Sequence, residues 1–175
     1  MAKRSKALPL ILLLVFILGL VGIYLSTINP PPSLEDAKLY NLGTDREIYL
    51  RDLISKKDFS IIVFIKAGDT PLEKVTKTMS KLKESGLTYR FNIIFIGIDG
   101  DFKTYKDFLY NNPKIFIPFV WLYTNNTNYF DYMEDPKSPN IYIASMSKGF
   151  RLKYLGSKIG VSELISEINK FMAKV

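Results

Sequence analysis

Two acidic turns hold most of the groups in this sequence that could do chemistry. The first is Asp69-Thr70-Pro71-Leu72-Glu73, between the apolar run "IIVFIK" and the helical pattern "LEKVTKTMSKL". The second is Asp99-Gly100-Asp101, which ends another apolar run, "NIIFIGI". Neighbouring carboxylates can serve as a general acid and base, or hold a hard cation such as calcium or magnesium. An acid–base pair also needs a nucleophile or an oxyanion partner, and nothing in the sequence provides one for Asp69 and Glu73. Asp99-Gly100-Asp101 lacks the loop glycine and distal glutamate of an EF-hand, so it reads as a strand-to-helix turn. The chain has 175 residues with 0 Cys and 0 His. Thiol–disulfide exchange, Ser-His-Asp and Cys-His catalysis, and soft-ligand zinc or copper sites are thereby excluded. No catalytic set, no metal and no cofactor is expected.

The bland role of the first turn is strong. Thr70 as N-cap, Pro71 at the first helical position and Glu73 three residues after the cap form a capping box. Asp69 adds negative charge beside the positive end of the same helix dipole.

Hydrophobic periodicity supplies the elements that position these turns. "AKLYNLGTDREIYLRDL" alternates on either side of Gly43-Thr44-Asp45 and predicts a hairpin. "FSIIVFIK" and "YRFNIIFIGID" are continuous apolar runs and predict buried strands. From Pro71 to about Glu84, Leu72, Val75, Met79 and Leu82 recur at helical spacing, with Lys74, Lys77 and Lys81 on another face. "DFKTYKDFLYNN" predicts a shorter helix closed before Pro113. "KIFIPFVWLY" is apolar throughout, and Pro118 inside it leaves its type open. "NIYIAS" and "FRLKYLG" predict a second hairpin around Lys148-Gly149. A closing helix carries a stripe of Val161, Leu164, Ile165, Ile168 and Phe171. This alternation predicts an α/β domain, a central sheet with helices on its faces.

The amino terminus reads differently. Lys3, Arg4 and Lys6 precede Ala7 to Ser26, a stretch without charge. Twenty helical residues at ~1.5 Å each reach about 30 Å, the thickness of a bilayer core. A cleaved signal peptide is the rival, but its apolar core is shorter and no A-x-A-like site follows Leu25. The expected organisation is a cytoplasmic basic tail (1–6), a transmembrane anchor (7–26), a Pro-rich linker (27–36) and an extracytoplasmic domain (37–175). The basic tail sets that orientation. Of the net charge of +7, three units belong to the tail and +4 to the rest of the chain. Such a mild balance does not predict a nucleic-acid partner.

The order of elements, with its local signatures, resembles the thioredoxin-like fold in its redoxin form, the TlpA/ResA and Sco types, over about Leu39 to Phe171. "NLGTDREIYLRDL" is similar to the family's leading hairpin, and "IIVFIKAGDTPLEK" to its strand, turn and Cys-x-x-Cys helix. "SPNIYIASMSKGFRLKYLG" is similar to the cis-proline segment and the hairpin that follows it. The resemblance implies a three-layer sandwich with a central mixed sheet. It puts Thr70 and Glu73 at the two cysteine positions and Pro139, after Ser138, at the cis-proline. With no Cys or His, neither disulfide exchange nor copper delivery by the family's usual routes is available. What the resemblance leaves is recognition, because the groove beside that proline holds extended substrates in redoxins.

Residues 116–132, "FIPFVWLYTNNTNYFDY", contain seven aromatics. Some belong to the core, and a minority are expected on an interface, with Trp121, Tyr123, Tyr129, Phe130 and Tyr132 as candidates. Asn125-Asn126-Thr127 is an N-glycosylation sequon. The sequence therefore predicts a membrane-anchored, redox-inactive binding or scaffold module with a protein partner, an accessory or assembly subunit of a membrane complex. The rivals are a carboxylate enzyme at the altered turn and a purely structural envelope subunit.

Overall fold

The computed structural model describes residues 11–12, 14–20, 33–66, 72–87, 90–98, 102–116, 118–132, 134, 139–157 and 160–174. It divides into two compact units, Met1–Ser33 and Leu34–Val175. In the first, residues 11–12 and 14–20 are helical, and their leucines, isoleucines, valine and phenylalanine are exposed. Among the described residues no helix is long and apolar enough to cross a membrane. The rest of the expected 7–26 span lies outside them.

The second unit is built on one sheet of seven strands. These are β1 (Lys38–Asn41), β2 (Arg46–Tyr49), β3 (Phe59–Ile65), β4 (Phe91–Ile98), β5 (Val120–Thr124), β6 (Asn140–Ser145) and β7 (Arg151–Gly156). Their order across the sheet is β2-β1-β5-β4-β3-β6-β7. The middle three, β5, β4 and β3, run parallel, and the hairpins at either side join antiparallel. The continuous apolar runs are explained by this placement. β3 is buried at every residue, and β4 at every residue but Asn92, whose side-chain amide donates to the Leu53 carbonyl (3.0 Å). A strand covered on both faces has no solvent side to make polar.

Five α-helices accompany the sheet among the described residues. They are α1 (Leu50–Ile54), α2 (Leu72–Leu82), α3 (Phe102–Asn111), α4 (Pro113–Phe116) and α5 (Val161–Met172). The successive parallel steps β3 to β4 to β5 run in one direction, which puts α2 and α3 on the same face. There Val75, Met79 and Leu82 of α2, Tyr105 and Leu109 of α3, and Leu164, Ile168 and Phe171 of α5 share a core with Ile61, Val63, Phe95 and Trp121. The opposite core joins Ile62, Phe64, Ile94, Ile96 and Leu122 to Leu34, Leu50, Leu53, Ile54 and Tyr129. Short pieces cover that side: α1 and the 3-10 turns Leu34–Asp36 and Thr127–Tyr132.

Both predicted hairpins form. In the first, Asn41 Oδ1 accepts the Gly43 and Thr44 amides (2.9 and 3.2 Å), and Asp45 takes a left-handed φ of 53°. In the second, Gly149 has φ 87°, a conformation that costs a Cβ-bearing residue but not glycine. Two elements differ from the sequence reading. The "LRDL" end of the first hairpin becomes α1, and "VWLYT" is strand β5. Pro118 precedes β5 without interrupting it, and its free carbonyl accepts the Lys83 ammonium (2.9 Å).

Candidate functional site

β3 and β4 run parallel, so their carboxyl ends share one edge of the sheet, the edge where open α/β sheets hold their ligands. β3 leads toward the turn at 67–71 and β4 toward the turn at 99–101. Asp69, Thr70, Pro71 and the whole of Asp99-Gly100-Asp101 lie outside the described residues, as does Ser138. Glu73 is described: it stands exposed in the first turn of α2. Behind it, buried Thr76 turns its hydroxyl back onto the Leu72 and Glu73 carbonyls (both 3.0 Å), tying down the opening turn of the helix.

Pro139 is buried and directly precedes β6. β6 pairs antiparallel with β3, and the last matched pair is Phe64 with Asn140. One further step in that register sets Pro139 beside Ile65, the last residue of β3. Pro139 and the carboxyl end of β3 are thus neighbours across 74 residues of chain.

The root of that turn is fixed by a residue the sequence reading passed over. Tyr105, from α3, lies over Gly97 of β4, where an added Cβ would sit 3.4 Å from the ring. Its hydroxyl donates to the Ile65 carbonyl (3.4 Å). One side chain therefore links α3 to the ends of both β3 and β4. A glycine inside an apolar strand was the available signal, since it often marks a close approach. Nearby, Lys106 binds Asp45 (2.6 Å), which also accepts the Tyr40 hydroxyl (3.3 Å). The hydrogen bond from Lys106 holds the Asp45 carboxyl below its usual range, while burial and then Asp45 push the Tyr40 phenol up.

From Glu73 a cleft of about 1080 Å³ runs along α2, past Thr76, Lys77 and Ser80. Its other bank is Phe108, Asn111, Asn112, Pro113 and Lys114. Phe108 is 38% exposed there, a large apolar ring open to solvent. This lining offers charge of both signs, amide and hydroxyl groups and one ring. It contains no thiol or imidazole. Among the described residues no three acidic side chains gather as metal ligands.

The aromatic candidates divide. Trp121 is 2% exposed and stacks on Phe95 (centroids 4.3 Å apart), and Tyr129 is 4% exposed. Neither can stand on a docking surface in this fold: Trp121, on interior strand β5, is packed into one core, and Tyr129, in the 3-10 turn Thr127–Tyr132, into the other. Tyr123 is half-buried against Phe102 and Tyr105 (5.4 and 6.0 Å). Tyr132, also half-buried, stacks on Phe64 (5.4 Å), and its carbonyl accepts the Tyr142 hydroxyl (3.1 Å). Burial pushes the Tyr142 phenol up to about 12. The side chain of Phe130 lies outside the described residues, and Asn125 is exposed just after β5.

No family model matches the sequence, and no curated protein matches it. The fold is thioredoxin-like, with a central mixed sheet. Solved structures of thioredoxin-like thiol-disulfide oxidoreductases match it at low identity. DsbF of Mycobacterium tuberculosis has a TM-score of 0.61 at 9% identity, over 79% of this chain and 97% of that one. The thioredoxin domain of a Bacteroides vulgatus thiol-disulfide oxidoreductase gives 0.57 at 15%, over 78% and 92%. The exposed lipoprotein thioredoxin Etrx1 of Streptococcus pneumoniae gives 0.58 at 8%, over 77% and 98%.

Proposed function

We propose that this chain is a membrane-anchored, extracytoplasmic thioredoxin-like module that has given up redox chemistry and acts by binding an extended segment of a protein partner. The observation that carries this reading is buried Pro139 beside the end of β3, at the same edge as a chain segment with no cysteine at either family position. The structurally similar proteins are named for disulfide chemistry, and a chain with 0 Cys cannot form or exchange a disulfide of its own. A groove whose backbone edge is kept while its nucleophile is absent retains binding without turnover. The uncharged run from Ala7 to Ser26 behind Lys3, Arg4 and Lys6 supports the anchor and its orientation. The exposed lipoprotein among the similar structures supports an extracytoplasmic site. The role that follows is an accessory or assembly subunit of a membrane complex.

The test is affinity isolation from gently solubilised native membranes. A stoichiometric protein partner, retained by the wild type and weakened by Lys77→Glu with Lys114→Glu, is the expected result. A wild-type chain recovered alone, or a partner held equally by the double variant, would falsify the proposal.

A further inference from the structure

We propose that Asn125 is an N-glycosylation site and that its first sugar seats on the aromatic rings next to it. This rests on the extracytoplasmic reading above. Asn125 opens the triplet Asn125-Asn126-Thr127 and is exposed immediately after β5. The chain turns sharply there: the Asn126 amide donates to Thr124 Oγ1 (3.1 Å), and Asn126 Oδ1 accepts the Asn128 amide (3.0 Å). An acceptor asparagine at an exposed turn can enter a transferase without the sheet opening.

The second observation is a shallow hollow of about 380 Å³ whose wall includes Asn125 itself. Its floor is aromatic. Tyr40 and Phe102 meet edge to face at 5.0 Å, and Phe102 meets Tyr123 at 5.4 Å. Tyr123, at the end of β5, and Asn125, just past it, both line this hollow. A pyranose has a face of C–H groups that packs on the negative face of an aromatic ring. Lys38 and Glu47, paired at the rim, can exchange hydrogen bonds with sugar hydroxyls. A hollow with an aromatic floor and a charged rim, beside an acceptor asparagine, fits a hexose or N-acetylhexosamine.

The transfer uses a lipid-phosphate-linked oligosaccharide as donor and a separate membrane transferase. Asn125 Nδ2 forms a bond to the anomeric carbon of the first sugar while the bond from that carbon to the phosphate oxygen breaks. The lipid phosphate leaves with the electron pair, and the amide nitrogen gives up one proton.

Protein isolated from its own membranes is digested, and the peptide containing Asn125 is weighed. Hexose or N-acetylhexosamine increments on that peptide are expected, lost in Thr127→Ala and kept in Thr127→Ser. The seat is read separately: glycosylated wild type should melt above Asn125→Gln, and Tyr123→Ala should erase that difference. An unmodified Asn125 peptide overturns the site, and an unchanged melting difference in Tyr123→Ala overturns the seat. Labelling of intact cells with an impermeant amine reagent distinguishes the failures. An unmodified peptide in a labelled domain sinks the glycan alone; an unmodified peptide in an unlabelled domain sinks the extracytoplasmic reading with it.

Discussion

Trp121 is the only tryptophan of the chain, and it reports on the core from the middle of an interior strand. Its ring stacks on Phe95, and its indole nitrogen is buried without a hydrogen-bond partner among the described residues. Trp121→Ala should therefore cost about 3–5 kcal/mol of stability in denaturant titrations. Trp121→Phe should cost less, since no hydrogen bond is lost with the indole. Glu167 makes the complementary case at the surface. Lys153 (2.5 Å) and Lys170 (2.7 Å) bind its carboxylate and hold it down at about 2, with the Lys153 hydrogen bond the larger cause. A folded value below the ordinary 4.5 means that the ionised form stabilises the fold above that pH. The contribution is lost as pH falls from about 4.5 toward 2. The stability gap between wild type and Glu167→Gln should be constant above about pH 5 and close near pH 2, as read by urea titration across that range.

At the scale of elements, periodicity made β3, β4, α2 and α5 legible, because each buries a continuous or evenly spaced apolar set. What sequence could not supply were features decided by neighbours. "VWLYT" is a strand because β1 and β4 pair on either side of it, and Trp121 is buried because the core on one face of the sheet packs against it. α1 replaces the end of a predicted strand where Leu50, Leu53 and Ile54 find the second core. The Tyr105 clamp on Gly97 and Ile65 ties α3 to its neighbour β4 and to the sequence-distant β3, and only the glycine hinted at it. The turn at 69–73 reads as a cap from its residue types, and Asp69, Thr70 and Pro71 lie outside the described residues. If Thr70 and Glu73 occupy the family's cysteine positions, a Thr70→Cys with Glu73→Cys variant should form a disulfide under mild oxidant while remaining folded. Intact mass and thiol counting check this, and a folded variant that stays fully reduced speaks against the alignment.

At the scale of the whole molecule, the proposed function joins a charged tail and an apolar run, read as an anchor, to a thioredoxin-like domain proposed to bind without redox chemistry. The anchor predicts that protein extracted from membranes keeps residues 1–26. Intact mass checks this, and a chain beginning near Ser26 or Thr27 would leave an exported domain without its tether. The domain's role is tested most directly by placing a photo-cross-linking residue at Glu73, where the altered turn meets the cleft, and irradiating native membranes. The account predicts one discrete protein adduct, diminished by Lys77→Glu with Lys114→Glu and absent when the cross-linker sits at Lys148 on the far hairpin. Equal adducts from both positions, or none from Glu73, would contradict a binding function at this edge.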